Sequence, residues 1–362
     1  MKIDLKLLRI MGIAAGIIIL FIIIIALFSS CVKNKKYTID ELENKLITLS
    51  KSYYNKNKDS LPNEGESTTL STGHFISSGY FKELKLTSGA TCTGEIIVTN
   101  NNGYYLYLPK LTCGNDIKPV TFVNQIKEDN LVKTGEGLYE YGSTYLFRGE
   151  NIKNYLHFND KIWRIIKINA DDTIRIIENK KSESSTWDNR YNLDKKSNTG
   201  INDFVANNIN SRIKNKLEEI YNKEQFFSDE VKAYFSKQDL CIGKRAETDT
   251  NNDGTIECSN LIKDQVLGLI QVNEYLQASL DENCTTTSSI SCTNYNFLAK
   301  LESNTWTLTA DKDSSFKVFK LDYGLSLANA SNTSGIAIAV NLSPNLLYKS
   351  GTGTLNDPYI IK

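Results

Sequence analysis

The sequence is poor in proline, histidine and net charge, and each shortage excludes a class of protein. Five Pro and 21 Gly among 362 residues are too few for a collagen-like or proline-rich fibrous chain. Two His argue against multi-histidine metal centres and against most histidine-based catalysis. Lys and Arg number 42, equal to the 42 Asp and Glu, so the formal net charge is zero. Because proteins that bind phosphate backbones usually carry a basic excess, we expect no nucleic-acid partner.

The chain also lacks the short motifs that mark common active sites. It contains no Gly-rich phosphate loop, no H-E-x-x-H and no G-x-S-x-G, so the sequence indicates no catalytic residue. His74 and His157 lie far apart and have no neighbouring Cys or paired carboxylates. We therefore interpret both histidines as structural or surface residues.

The amino terminus contains one long apolar run. Residues 10–28, IMGIAAGIIILFIIIIALF, carry no charge, and a helix of about 19 residues is long enough to cross the hydrocarbon core of a bilayer. The run predicts a transmembrane anchor over residues 1–32, with the membrane as a partner. Cys31 follows Ser29 and Ser30, which loosely matches a bacterial lipoprotein site. It is a candidate for lipidation, and an ordinary thiol at the membrane boundary is the alternative.

Six further cysteines follow, and an even number is what an oxidising compartment produces. They lie in three local pairs: Cys92 and Cys113, Cys241 and Cys258, and Cys284 and Cys292. None has the C-x-x-C spacing of zinc ribbons or redox sites. We interpret them as three disulfides between nearest neighbours, with buried free thiols in a cytosolic protein as the alternative. Disulfides would place residues 33–362 outside the cell, in a single-pass protein of a bacterial cell membrane.

Residues 33–118 have the pattern of a small α+β module. Thr38 and Glu41 have the spacing of a capping box, and apolar residues then repeat along one helix face. Strand-like segments follow at 74–76, 95–98 and 104–108, with an Asn-Gly turn before the last. The polar residues 119–150 are predicted to be a connecting segment.

The layout of residues 1–118 resembles a pilin-like or pseudopilin-like protein of Gram-positive bacteria. The stretches that carry the resemblance are YTIDELENKLITLSKSYYNKN, HFISSGYFKEL and the CTGEIIV…YLYLPKLTC hairpin. The resemblance implies one function, a structural pilin-like subunit of a secretion or fibre assembly.

From residue 151 the pattern predicts a second, larger α+β domain that extends to residue 362. NYLHFNDKIWRIIKINADDTIRIIEN reads as a three-stranded antiparallel meander. A helix is predicted over 203–221 and a strand over 265–271, followed by a short helix that Asn273 caps. Further strands are predicted at 305–309, 317–321, 335–342 and 359–361.

This larger domain resembles an uncharacterised bacterial surface domain with a C-type-lectin-like or formylglycine-generating-enzyme-like fold. The matching stretches are NYLHFNDKIWRIIKIN, STWDN, LGLIQVNEYLQAS, NTWTLTADKDSS and GTGTLNDPYII. The resemblance implies that the first and last strands pair, residues 155–158 with residues 359–361. It also implies non-enzymatic binding or adhesion to an extracellular glycan, peptide or protein. An enzyme acting on cell-surface polymers is a further alternative.

The sharpest local motif is DTNNDGTIE at residues 249–257. Asp249, Asn251, Asp253 and Glu257 match the oxygen ligands of a calcium loop, and Gly254 stands at the tight-turn position. Two interpretations stay open, a calcium site and a solvated hairpin turn built on Asn-Asp-Gly. No other cofactor is expected.

Three tryptophans are the remaining candidates for a binding surface. Trp163, Trp187 and Trp306 lie in or near strand-like runs, where a Trp usually belongs to the core. An aromatic platform for sugars is the alternative, and the ligand-binding residues remain unassigned. The complete prediction is an α+β fold with an N-terminal transmembrane helix, a pilin-like module and a lectin-like domain.

Overall fold

The structure is a computed structural model that describes residues 35–191, 195–196, 198–302 and 304–362. The predicted anchor, residues 1–32, and Cys31 lie outside the described residues. Within those ranges, none of the helices combines the length and the apolar content that crossing a bilayer requires. Strands account for 36% of the residues and helices for 22%, so the fold is mostly sheet. The predicted α+β fold class with its transmembrane helix is therefore contradicted, and so is the single-pass membrane location that depended on it.

The helices of the described chain are short, apart from the 18-residue α1. In chain order, α1 to α6 are Ile39–Lys56, Thr72–Ser77, Phe122–Asn130, Arg212–Asn222, Asp229–Lys232 and Val272–Ala278. Single 3₁₀ turns lie at Lys58–Ser60, Glu257–Ser259, Ile290–Thr293 and Phe297–Lys300.

The strands are more numerous and mostly two to six residues long. β1 to β8 are Ser67–Ser71, Cys92–Asn101, Tyr104–Cys113, Gly137–Tyr141, Thr144–Arg148, Tyr155–Phe158, Lys161–Ile168 and Ile174–Glu178. β9 to β16 are Glu183–Thr186, Arg190–Tyr191, Lys195–Lys196, Val205–Ala206, Ile209–Asn210, Phe235–Ser236, Gln238–Cys241 and Leu261–Gln265. β17 to β24 are Leu267–Gly268, Thr305–Ala310, Lys317–Leu321, Leu325–Asn329, Thr333–Ile336, Ala339–Leu342, Tyr348–Ser350 and Ile360–Ile361.

The described chain forms two compact units. The smaller comprises residues 35–61, 68–98 and 109–119, and the larger comprises 62–67, 99–108 and the chain from Val120 to Lys362. In the smaller unit, α1 begins at a complete capping box. The Thr38 hydroxyl accepts from the Glu41 N–H, and the Glu41 carboxylate accepts from the Thr38 N–H. Leu42 and Leu46 on the predicted face are fully buried, so this helix is confirmed.

The larger unit is built on two sheets. The first has the order β14-β22-β8-β7-β5-β4, with β17 also paired to β22 and β6 to β7. The second has the order β20-β19-β18-β21-β9. The predicted meander is confirmed as β6, β7 and β8, which pair antiparallel in sequence.

The first and last strands of the domain predicted at residues 151–362 meet, as the resemblance implied. The Tyr359 N–H donates to the carbonyl of Tyr155 at 2.9 Å, and the His157 N–H donates to the carbonyl of Tyr359 at 2.9 Å. A parallel bridge therefore joins β6 to the carboxyl-terminal segment and closes the intervening chain into one unit.

Local structure differs from the sequence pattern in several places. The strand predicted at 335–342 is two strands, β21 and β22, in different sheets, and the strand predicted at 265–271 is interrupted between β16 and β17. Residues 74–76, predicted as strand, lie in helix α2, because Ser71 caps its first turn by accepting from the His74 N–H. Residues 119–150, predicted as a connection, form helix α3 and the β4–β5 hairpin. The helix predicted from residue 203 begins at Arg212, because Asn207 and Asn208 take positive φ in a turn between β12 and β13.

Candidate functional site

The calcium-like loop folds around an arginine side chain. Arg245 is fully buried, and its Nε lies 2.8 Å from the equally buried Glu257 Oε1. Its Nη2 donates to the carbonyl of Asn251 at 2.6 Å, and its Nη1 donates to the carbonyl of Asp249 at 3.3 Å. A cation supplied by the protein thus bonds to several oxygens of the loop.

The other predicted metal ligands bond to backbone and side-chain donors within the loop region. Asp249 Oδ2 accepts from the Ala246 N–H, and Asn251 Oδ1 accepts from the Asp253 N–H. The hydroxyl and the backbone N–H of Thr255 both donate to Asp253 Oδ1. These two bonds, the hydroxyl bond above all, lower the pKa of the Asp253 carboxyl.

These bonds are those of a compact polar turn, the alternative interpretation of the loop. Across the part of the chain that the structure describes, no group of three or more His, Cys, Asp or Glu is arranged to hold a metal ion. The contacts therefore favour the turn, and calcium binding by this loop is untested.

Beside this loop the larger unit contains an open cleft of about 750 Å³. One wall is the end of β7, the following turn and β8, and the other is β15 with the tip of the loop at residues 253–255. The first turn of α6 and Asn341 of β22 complete the lining. Its charged side chains are Lys167, Asp171, Arg175, Lys237, Asp239, Asp253, Asp264 and Glu274.

A buried carboxylate with two cations lies at the base of this cleft. Glu274 has a side chain that is 1% exposed, with Lys167 Nζ at 3.1 Å and Arg175 Nε at 3.2 Å from its Oε1. Its Oε2 accepts from the Gln271 N–H at 3.0 Å. Arg175 also donates to the carbonyl of Leu269 at 2.9 Å and to the side chain of Gln238. The network joins β7, β8, β15 and α6 through charge-assisted hydrogen bonds.

The ionisation of Glu274 follows from these contacts. Burial alone would raise the pKa of its carboxyl, but the charges of Arg175 and Lys167 and the backbone N–H of Gln271 outweigh burial and lower the pKa to about 2. Glu274 is therefore an anion at neutral pH and acts as a hydrogen-bond acceptor only.

Two amide side chains that line the cleft have unpaired oxygens. Asn273 is 5% exposed and Asn341 is 8% exposed, and the Oδ1 of each is buried without a hydrogen-bond partner. Asn273 lies directly under the tip of the loop. A Cβ added to Gly254, whose φ is +94°, would come within 2.8 Å of its Nδ2. Unpaired buried acceptors are uncommon in folded proteins, and each calls for a physical reason.

A disulfide forms part of the cleft wall. Cys241 at the end of β15 is bonded to Cys258 after the loop, and both residues line the cleft. The other two disulfides join Cys92 to Cys113 and Cys284 to Cys292. All three predicted pairs are present, and this one holds the loop tip beside β15.

The three tryptophans are core residues, as the first interpretation had it. Trp163, Trp187 and Trp306 are all 0% exposed, and Trp187 packs edge-on against Trp306 with ring centroids 6.2 Å apart. Exposed aromatic rings are instead those of tyrosines, and two of them, Tyr295 and Tyr323, line a second open cavity of about 720 Å³. The alternative, a platform of tryptophans at the surface, is therefore not formed.

Neither histidine lines the cleft. His74 packs edge-on against Tyr53 and Phe75 in the smaller unit, and His157 is an exposed residue of β6. These positions fit their interpretation as structural and surface residues.

Sequence reasoning missed the residues that build the cleft. Arg175 lies in the run TIRIIEN, where a cation inside an apolar strand signals a buried partner. Glu274 follows Gln271 by three residues, the spacing at which a carboxylate reaches back to a helix start. The prediction that Asn273 caps the helix is wrong, because Gln271 is the cap and Asn273 is the second residue of α6. Asn341 lies in strand β22 and carries no local sequence signal.

Comparisons with family models, with curated proteins and with solved structures found no match to this chain. The pilin-like and lectin-like resemblances therefore remain predictions.

Proposed function

We propose that the larger unit is a non-enzymatic ligand-binding module and that the cleft beside α6 is its binding site. The observation that carries the proposal is the pair of unpaired amide oxygens of Asn273 and Asn341 in the cleft wall. A buried acceptor without a donor lowers stability by about 1–3 kcal/mol. A ligand that supplies the missing donors recovers this free energy when it binds.

The charges at the base of the cleft favour binding over proton-transfer chemistry. Glu274 has a pKa of about 2, so at neutral pH it holds no proton to donate. Its oxygens already accept from Lys167, Arg175 and the Gln271 N–H. A general acid or base needs a pKa near the working pH, and the pKa of the Glu274 carboxyl is far below neutral pH. The network is suited to keeping the cleft rigid, which lowers the entropic cost of binding.

The proposal is tested by blocking the cleft. The labelled full-length chain is applied to arrays of immobilised glycans, peptides and cell-wall fractions, and Asp239→Trp is compared with the wild type. Asp239 is an exposed residue of β15 in the cleft lining, so an indole at this position fills the opening without entering the core. We expect the wild type to bind and the variant to lose most of its signal.

The matched control is Glu140→Trp. Glu140 is an exposed residue of β4, at the opposite end of the first sheet from β14, so this variant adds the same indole away from the cleft. Circular dichroism and melting temperature confirm that both variants are folded. Equal binding by the two variants, or no binding by the wild type to any array, would overturn the proposal.

A further inference from the structure

The charges that line the cleft are unequal in number, and the inference drawn from them rests on the proposed function. Five carboxylates and three basic groups line the cleft. They belong to Asp171, Asp239, Asp253, Asp264 and Glu274, and to Lys167, Arg175 and Lys237. The lining thus has an excess of negative charge. A cleft lined by charge of one sign raises the local concentration of ligands of the opposite sign.

Each of the three basic groups already pairs with a carboxylate. At the base of the cleft, Lys167 Nζ and Arg175 Nε lie 3.1 Å and 3.2 Å from Glu274 Oε1. Lys237 pairs with Glu64, which is not part of the lining. The hydrogen bond to Glu64 raises the pKa of Lys237 above its ordinary value. The charge of Lys237 is therefore balanced mainly from outside the cleft.

The four aspartates of the opening have no such cationic partner. All four are exposed, and none forms an ion pair within the part of the chain that the structure describes. Asp171 Oδ1 accepts from Thr173, and Asp239 Oδ1 accepts from the Asp264 N–H. These internal bonds engage one oxygen of each carboxylate. The opening therefore keeps both its negative charge and acceptor positions for a ligand.

An unpaired amide oxygen lies close to one of these carboxylates. Asn273 lines the cleft and is 5% exposed, and its Oδ1 is buried without a hydrogen-bond partner. Its side chain lies under Gly254, the residue that follows Asp253. Because the terminal torsion of asparagine is soft, a rotation brings this oxygen to a donor in the cleft. A donor bound there meets a charged acceptor and an uncharged one.

The arrangement favours an organic cation over a metal ion. The four aspartates come from four separate segments: the turn after β7, β15, the loop tip and β16. A calcium ion needs about six to eight oxygens within about 2.6 Å, and no group of three or more His, Cys, Asp or Glu among the described residues is placed to hold a metal. An ammonium group carries three N–H donors and no acceptor, so it suits carboxylates and amide oxygens alike.

We infer that the cleft binds an organic cation with at least two alkyl ammonium groups, and that one of these groups donates to Asp253 and to the side-chain oxygen of Asn273. The cleft volume of about 750 Å³ is within the range of small-molecule sites, roughly 300–1,000 Å³. At the base, Lys167 and Arg175 outnumber Glu274, so the ammonium groups bind at the opening beside the aspartates. No covalent step is involved.

The test is isothermal titration calorimetry of the full-length chain with matched probes. 1,6-Diaminohexane carries two ammonium groups, and hexamethonium carries the same charges on the same carbon chain without an N–H donor. 1,6-Hexanediol is the neutral probe, adipate the anion and calcium the metal ion. Free polyamines and lysine side chains share the ammonium chemistry, so N-acetyl-trilysine amide is titrated beside the diamine to distinguish these two sources.

We expect the diamine or the trilysine peptide to bind about tenfold or more tightly than hexamethonium, because hexamethonium has no hydrogen to donate. The diol, adipate and calcium should bind more weakly still. The affinity should fall when the ionic strength rises from about 0.01 M to about 1 M, since the Debye length shrinks from about 30 Å to about 3 Å. Tightest binding of the diol, adipate or calcium, or equal affinity for diamine and hexamethonium, would overturn the inference.

Substitution of two aspartates tests the charge. Asp239→Asn together with Asp253→Asn removes two charges and keeps an oxygen for the internal bonds, and we expect it to weaken binding of the diamine about fivefold or more at low salt. Asp313→Asn is the matched control, because Asp313 is an exposed aspartate of the same unit outside the lining. Equal affinities of the double variant and the control would refute the inference.

Substitution of the asparagine tests the hydrogen bond. Asn273→Leu removes the acceptor at nearly constant shape, and we expect the preference for the diamine over hexamethonium to disappear. A loss of stability alone lowers both affinities and leaves their ratio unchanged. A preference that persists in the folded variant would overturn the role of Asn273. If the variant does not fold, the aspartate variants and the two matched probes decide the matter.

The outcomes also distinguish the inference from the function on which it rests. If a neutral or anionic ligand binds the wild type, is lost in Asp239→Trp, and the ammonium probes do not bind, the ligand class is wrong and the binding function stands. If no probe and no array ligand responds to blocking of the cleft, both are wrong.

Discussion

Replacing Glu274 by Gln tests whether the buried charge network holds the cleft together. Gln has nearly the same shape and keeps an acceptor oxygen, but it removes the anion between Lys167 and Arg175. The two cations then remain in a site where the carboxylate side chain was 1% exposed. Removing one partner of a buried ion pair typically costs about 3–5 kcal/mol.

The ionisation of Glu274 gives an independent estimate of the same quantity. Its pKa falls from the ordinary 4.5 to about 2, which corresponds to roughly 3 kcal/mol of preference for the charged form in the folded state. Both arguments give a loss of about 3 kcal/mol in the free energy of unfolding for Glu274→Gln.

Urea unfolding at neutral pH, followed by tryptophan fluorescence, measures this loss. All three tryptophans are fully buried in the larger unit, so their emission reports the unfolding of that unit. Glu302→Gln is the matched control, because Glu302 pairs with Lys181 at 3.3 Å with side chains more than a third exposed. An exposed ion pair contributes about 0–1 kcal/mol. If Glu274→Gln loses no more stability than this control, the reasoning is refuted.

The same carboxyl makes stability depend on pH in a defined direction. Because its folded pKa is lowered, its contribution is complete above the unfolded value near 4.5 and is lost as pH falls towards about 2. We expect wild-type stability to fall between these values by up to about 3 kcal/mol more than that of Glu274→Gln. If the free energy of unfolding of the two proteins changes equally with pH, the pKa assigned to Glu274 is wrong.

Three further predictions concern the loop beside the cleft. Since the guanidinium of Arg245 already bonds to its carbonyls, millimolar calcium or EDTA should leave the melting temperature unchanged, and a calcium-dependent rise would show that the loop binds the ion. Gly254→Ala should lower stability by about 1–3 kcal/mol, because the residue has φ +94° and the added Cβ meets the amide of Asn273; unchanged urea unfolding would contradict this geometry. Replacing Cys241 and Cys258 by Ser should lower the free energy of unfolding by about 2–4 kcal/mol and speed up hydrogen exchange of the loop backbone. If the loop amides remain protected from exchange, the disulfide is not needed to hold the loop.

Features of the fold that depend on near neighbours were predictable from the sequence. The capping box of α1, the meander β6–β8 and the three local disulfides involve residues that lie close together along the chain. Alternating or continuous apolar runs also marked the tryptophans as core. Each of these patterns involves residues close together along the chain, so a single sequence is enough to detect it.

The sequence-based predictions were wrong where one local pattern is compatible with two different structures. Residues 74–76 suit a strand by composition, but the Ser71 cap starts a helix there. The run after residue 203 has helical spacing, but two asparagines with positive φ form a turn inside it. The polar residues 119–150 have the composition of a connection, although β4 and β5 within them pair with each other and with β7 in the large sheet.

By itself, the sequence determined the pairing of the cysteines, the placement of the tryptophans and the β6–β8 meander, because each depends on spacing along the chain. Only the tertiary structure decided the cleft. Lys167, Arg175, Glu274 and Asn341 come from three strands and a helix, and Glu274 lies 99 residues along the chain from Arg175, with which it pairs. A buried charge pairs with whichever group the packing of the strands and helices brings within hydrogen-bond distance. No local sequence pattern shows which group that is.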